Sequence, residues 1–187
     1  MSYTNAAWSG SRVSGEPKGS SASAGCSDQR IIDVGRNGAP DIIICYISCN
    51  DWSGNVAIGT WQTNDPIDPD TSTTISELRK AYALMLYKIV KSYPSARVFV
   101  CTNLDDTSRD KTTGWPSNNT DGVSTSEWNK NIVEVATALG ARIIDLHACG
   151  LNYMNIASYC VDAGLHPNSA GQKIMADFIT AQLIANY

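Results

Sequence analysis

Six apolar residues run without a break from Ile42 to Ile47, directly after the polar Asp41. A run with no polar alternation has no wet face, so it reads as a strand buried on both sides, as in the middle of a parallel sheet. Parallel neighbours need long crossover connections, usually helical. The chain supplies them. A helix is expected over Ile75–Ser92, with Leu78, Tyr82, Met85, Leu86 and Ile89 on one face and Pro94 ending it. Arg97–Thr102 is a second buried strand. Ser124 and Glu127 form a capping box for a helix over Thr125–Leu139, which Gly140 terminates. Ala141–Leu146 is a third strand, and Ala170–Tyr187 repeats apolar residues at helical spacing behind an Asn168 N-cap. Alternating strands and helices imply a parallel sheet with helices on both faces.

The rest of the chain constrains less. Ser2–Trp8 reads as a short strand, Gly15–Gly25 as an irregular Gly/Ser-rich loop, and Ser27-Asp28 as the cap of a short helix through Val34. The 187 residues suit a single domain over 1–187. A net charge of −4 with scattered Lys and Arg argues against a nucleic-acid partner. No apolar run approaches the roughly 18–20 residues that span a membrane. Met1–Ala7 lacks the charged-then-apolar pattern of a secretion signal, which leaves the location of the intact protein open. The six cysteines show no metal-binding spacing, so neither a metal nor another cofactor is expected. Cys45 and Cys101 fall inside strand patterns as core residues, while Cys149 and Cys160 bracket a short loop and could pair in an oxidising compartment.

Two stretches carry candidate chemistry. Ser48-Cys49-Asn50-Asp51 follows the first buried strand, at the strand end where open α/β sheets bind ligands. Gly164-Leu165-His166-Pro167-Asn168 places an imidazole in a turn at the mouth of the last helix, with the Asp162 carboxylate just upstream. A histidine presented beside an orienting acid is the usual form of a general base. Taken alone, His166 would more readily cap or pack against a helix start.

Three segments together decide between these readings. Asn5-Ala-Ala-Trp-Ser-Gly10, Ile47-Ser-Cys-Asn-Asp51 and Gly164-Leu-His-Pro-Asn168 resemble the second, third and fifth sequence blocks of the GDSL/SGNH hydrolases, in order, spacing and structural context. The resemblance implies a flavodoxin-like three-layer α/β/α fold with a parallel sheet, and ester hydrolysis through a serine, a histidine and an aspartate. By this resemblance, the backbone N–H of Gly10 and the side-chain amide of Asn50 are oxyanion donors, His166 is the general base, and Asp162 orients it. One preorganised donor of this kind is worth roughly 3–4 kcal/mol to a transition state.

The chain also departs from the family pattern. No Gly-Asp-Ser nucleophile block occurs, so the first strand of the family fold is missing from the pattern. Ser9 and Ser11 remain as substitutes, against the spacing of the other blocks. The family's aspartate lies three residues before the histidine, whereas Asp162 lies four before His166; Ser48 replaces the usual glycine of the third block. His147, the other histidine, reads as structural or substrate-contacting. Trp52, Trp61 and Trp115 lie in long loops near the expected site, either as platforms for sugar rings or as anchors of those loops. No long apolar lid pattern favours a lipid, so the expected substrate is a small acyl ester, with O-acetylated carbohydrate as one class. The alternative is a catalytically silent binding protein on the same fold, or a truncated enzyme, because the nucleophile block is absent. A flavin or nucleotide binder is disfavoured, because no Gly-rich phosphate loop follows a strand. Open strand edges beside the missing strand would favour a homodimer or strand exchange.

Overall fold

The computed structural model describes residues 2–19, 23–104, 118–162 and 165–186. Its centre is a parallel sheet of three strands in the order β1 (Ile42–Cys45), β2 (Arg97–Cys101) and β3 (Arg142–Ile144), with Ile43 opposite Val98 and Val100 opposite Ile143. Helices α3 (Leu78–Ser92) and α4 (Thr125–Ala138) provide the crossovers and pack against each other. The short α1 (Asp28–Val34) leans on α3.

The period-2 alternation of the strands sorts their side chains into two cores. Ile43, Cys45, Val98 and Val100 meet Tyr82, Leu86, Trp128 and Ile132 of α3 and α4. On the other face, Phe99, Cys101 and Ile144 meet Met175 and the half-buried Ile174, Phe178 and Leu183 of α6 (Ser169–Ala185). Two helical layers around a parallel sheet are the architecture expected from the sequence. α6 covers β2 and β3 but not all of β1. Ile44 and the following Tyr46 stay 44% and 45% exposed.

Three caps read from the sequence form as written. Ser27 accepts the Arg30 N–H, Ser124 accepts the Glu127 N–H, and Asn168 accepts those of Ala170 and Gly171. Two expectations need correcting. Ser2–Trp8 joins no strand ladder among the described residues. It lies beside the turn after α1 instead, where Arg36 donates to the Asn5 carbonyl and Asn37 to the Thr4 hydroxyl. Cys149 and Cys160 are not bridged: Cys149 packs into the core under α6, and Cys160 sits at a backbone bridge to Pro167. Among the described residues no helix is long and apolar enough to cross a membrane.

Candidate active site

The last loop closes on itself before α6 begins. Val161 N–H donates to the His166 carbonyl and Asn168 N–H to the Tyr159 carbonyl, each at 2.8 Å. Inside this closure Asp162 faces His166. One carboxylate oxygen accepts the backbone N–H groups of Leu165 and His166 at 2.8 Å each, and the other lies 2.5 Å from His166 Nδ1. These bonds, led by the His166 backbone and side-chain donors, hold the Asp162 carboxyl down at about 2. An ionised carboxylate only accepts, so Nδ1 carries the proton and Nε2 of the neutral ring is the basic nitrogen. The imidazole is 70% exposed and open to a substrate. The fourth-residue spacing therefore still brings acid and base together.

The first strand ends in an unusual turn. Ser48 adopts φ 110°, a left-handed conformation that favours glycine, and starts α2 (Cys49–Ser53). Its buried hydroxyl accepts from Trp128 Nε1 at 3.2 Å and donates to Asn103 Oδ1 at 3.3 Å. Asn50, in the first turn of α2, donates its side-chain amide to the Ser11 carbonyl at 3.0 Å. That bond sets Asn50 beside the segment that carries Gly10. Gly10 has φ +71°, and nothing among the described residues lies within 4 Å of where a Cβ would stand. Its backbone is thus accessible to a ligand.

The sequence places Asp51 at the ligand-binding end of the strand without a role of its own, and the structure gives it one. Fully buried, it accepts Val13 N–H at 2.7 Å, Ser14 N–H at 3.0 Å and the Ser14 hydroxyl at 2.6 Å. Burial raises its carboxyl above the ordinary value, against the pull of the Ser14 and Val13 donors. The missed signal was a carboxylate at the start of a helix following a buried strand, where only a partner distant in sequence could satisfy it.

The strand ends meet the histidine loop at a small cavity of about 20 Å³. Cys49, beside Asn50, and Leu165, beside His166, both line it, together with Tyr46, Asn103 and Thr125. Asn103 is pinned by Asn129, which accepts its N–H and donates to its carbonyl, both at 2.9 Å. The Asn103 Nδ2 group is buried without a hydrogen-bond partner among the described residues. His147 stands further along the rim with Nε2 3.1 Å from the Asn129 amide, which fits a structural role.

Two tryptophans present no exposed face on which a sugar ring could stack, although Trp52 lines the small cavity. Trp52 turns inward on α2 and is 1% exposed, its indole N–H donating to the Val123 carbonyl. Trp61 is 6% exposed and packs into the α3–α4 core, and Arg79 Nε donates to its carbonyl. Both anchor their loops. Trp115 lies outside the described residues. Neither the Ser9 nor the Ser11 hydroxyl is bonded to His166 among the described residues, and the Ser11 carbonyl is the group that engages the site. No group of three or more His, Cys, Asp or Glu side chains among the described residues is placed to hold a metal.

Residues 2–174 match the family model of the GDSL-like lipase/acylhydrolase family. The chain belongs to that family. A relative, an acetylxylan esterase of Xylanibacter ruminicola, is 31% identical over 150 residues, which are 77% of this chain but only 28% of the esterase. Among solved structures, a candidate GDSL-like lipase of Bacteroides uniformis superposes with a TM-score of 0.61 at 21% identity, covering 94% of this chain and 66% of that one. A protein of Lactobacillus plantarum superposes with a TM-score of 0.67 at 17% identity, covering 86% of this chain and 75% of that one. These structural likenesses carry the GDSL-like fold.

Proposed function

We propose that the chain carries the general base, its orienting acid and the oxyanion donors of a serine ester hydrolase acting on small acyl groups. The observation that carries this reading is the Asp162–His166 pair at 2.5 Å, preorganised by two further N–H bonds to the same carboxylate. Nε2 of His166 would take the proton of an attacking hydroxyl as the new C–O bond forms at the ester carbonyl, then return it to the leaving alkoxide. The Gly10 N–H and the second Asn50 amide hydrogen would receive the negative charge on the carbonyl oxygen. Asp162 stays ionised throughout and stabilises the imidazolium.

The cavity between Cys49 and Leu165 supports a short acyl group, since about 20 Å³ leaves room for little beyond one water molecule. Similarity to an acetylxylan esterase favours O-acetylated carbohydrate as the substrate class. Labelling with a fluorophosphonate and mapping the modified peptide tests this function. A single labelled serine, lost in His166→Ala, is the expected result and names the nucleophile, Ser9 and Ser11 included. A folded chain that takes no label would overturn the hydrolase reading in favour of a silent binding protein.

A further inference from the structure

Asn50 and Asp51 reach the same short segment in different ways. The Asn50 amide holds the Ser11 carbonyl, while the two carboxylate oxygens of Asp51 hold the backbone N–H groups of Val13 and Ser14, two and three residues further on. The segment has further ties, because Gly25 N–H donates to the Arg12 carbonyl and Cys26 N–H to the Val13 carbonyl. Unlike those two ties, the Asp51 bonds join the segment to the helix that carries Asn50, as the Asn50–Ser11 bond also does, and among all of these they alone are made by a fully buried carboxylate on which only donors converge. Inside a protein such bonds are stiff, and leaving any of these donors without its acceptor is costly.

We infer that Asp51 is a positioning residue, which fixes the Gly10-bearing segment in register with Asn50 so that the two oxyanion donors converge on one point. The inference rests on the oxyanion roles proposed for Gly10 and Asn50. It adds the residue that sets their relative placement. Gly10 itself has open space where a side chain would stand, among the described residues. Its position is set by its neighbours in the chain: Ser11 N–H donates back to the Trp8 carbonyl around it, Asn50 holds the Ser11 carbonyl, and the first backbone N–H groups after it that a side chain anchors are those of Val13 and Ser14. An oxyanion donor acts only within a few tenths of an ångström of its hydrogen-bonding distance, so a loosened segment weakens the transition state more than substrate binding.

The test compares the parent chain with Asp51→Asn and Ser14→Ala in two measurements. Amide hydrogen exchange is read at Gly10, Ser11, Val13 and Ser14, with the amides of Leu84–Ile89 in α3 as the internal reference. Turnover of p-nitrophenyl acetate is read on the folded fraction. In Asp51→Asn the segment is expected to exchange at least tenfold faster against an unchanged reference, while kcat falls by roughly 10–100-fold and KM stays within about threefold. Ser14→Ala, which removes one of the three donors and keeps the fold if Asp51→Asn does not, should show the same pattern in smaller degree. Unchanged exchange in the segment would overturn the tether. Faster exchange with kcat unchanged would overturn its catalytic purpose. A parent chain inactive toward the ester would remove the hydrolase reading, and with it that purpose, leaving exchange to decide the tether alone.

Discussion

Ser48 shows how one residue resolves opposing demands. Its left-handed conformation costs roughly 1–2 kcal/mol for a residue with a Cβ, yet its hydroxyl satisfies the buried indole N–H of Trp128. Replacement by glycine relieves the strain and orphans the indole; replacement by alanine orphans it and keeps the strain. Ser48→Gly should therefore be more stable than Ser48→Ala by about 1–2 kcal/mol in denaturant unfolding. Equal midpoints would mean that the turn is not strained. At Asp162 the prediction concerns charge. A carboxyl lowered from 3.8 to about 2 contributes stability that is present above 3.8 and lost as pH falls through about 2. A carboxyl-carbon NMR titration should show that low midpoint, and in His166→Ala it should move upward. Substitution should also separate the roles. His166→Ala is expected to abolish ester turnover, and Asp162→Ala to cost roughly a hundredfold less, as measured by kcat.

At the scale of elements, the histidine loop depends on the helix that follows it. Asn168 caps α6 and also donates its side-chain amide to the Ser158 carbonyl, while Gly171 lets the first turn of α6 approach α5 (Ile156–Tyr159). A Cβ on Gly171 would overlap the Tyr159 carbonyl oxygen. Gly171→Ala should cost about 1–3 kcal/mol through overpacking, and should displace the loop that joins α5 to α6. Asn168→Ala should cost about 1 kcal/mol. Thermal unfolding of both variants checks the order. These elements were legible in the sequence because their signals are local: the cap of α6 is written in Asn168 alone, and β1 in an unbroken apolar run. Ser2–Trp8 was misread because a strand exists only through its partner, and this segment lies beside Arg36 and Asn37 instead. Trp52 and Trp61 were equally open to two readings, since the path of a long loop is set by contacts such as Arg79 with the Trp61 carbonyl, which no local pattern encodes.

For the whole molecule, the uncovered side of β1 is the main exposure. Among the described residues β1 pairs only with β2, and Ile44 and Tyr46 present apolar surface on the face that α6 does not reach. Such an edge invites pairing with another chain. Light scattering should show association that grows with concentration and weakens in Ile44→Lys, and a monomer at all concentrations would sink the expectation. The site itself was legible where a motif is short. His166, Asp162, Asn50 and Gly10 could all be named, whereas the buried Asp51 depends on partners 37 and 38 positions away. That contrast in range carries a consequence for how the site assembles. The acid and base are four residues apart, closed by bonds within their own loop, so that loop can reach its working shape while the remainder of the chain is still searching. The Gly10–Asp51 half forms only once distant parts of the polypeptide have met. In partly unfolded protein the two halves should come apart, with the imidazole and its carboxylate still paired after the cradle for the oxyanion has dispersed.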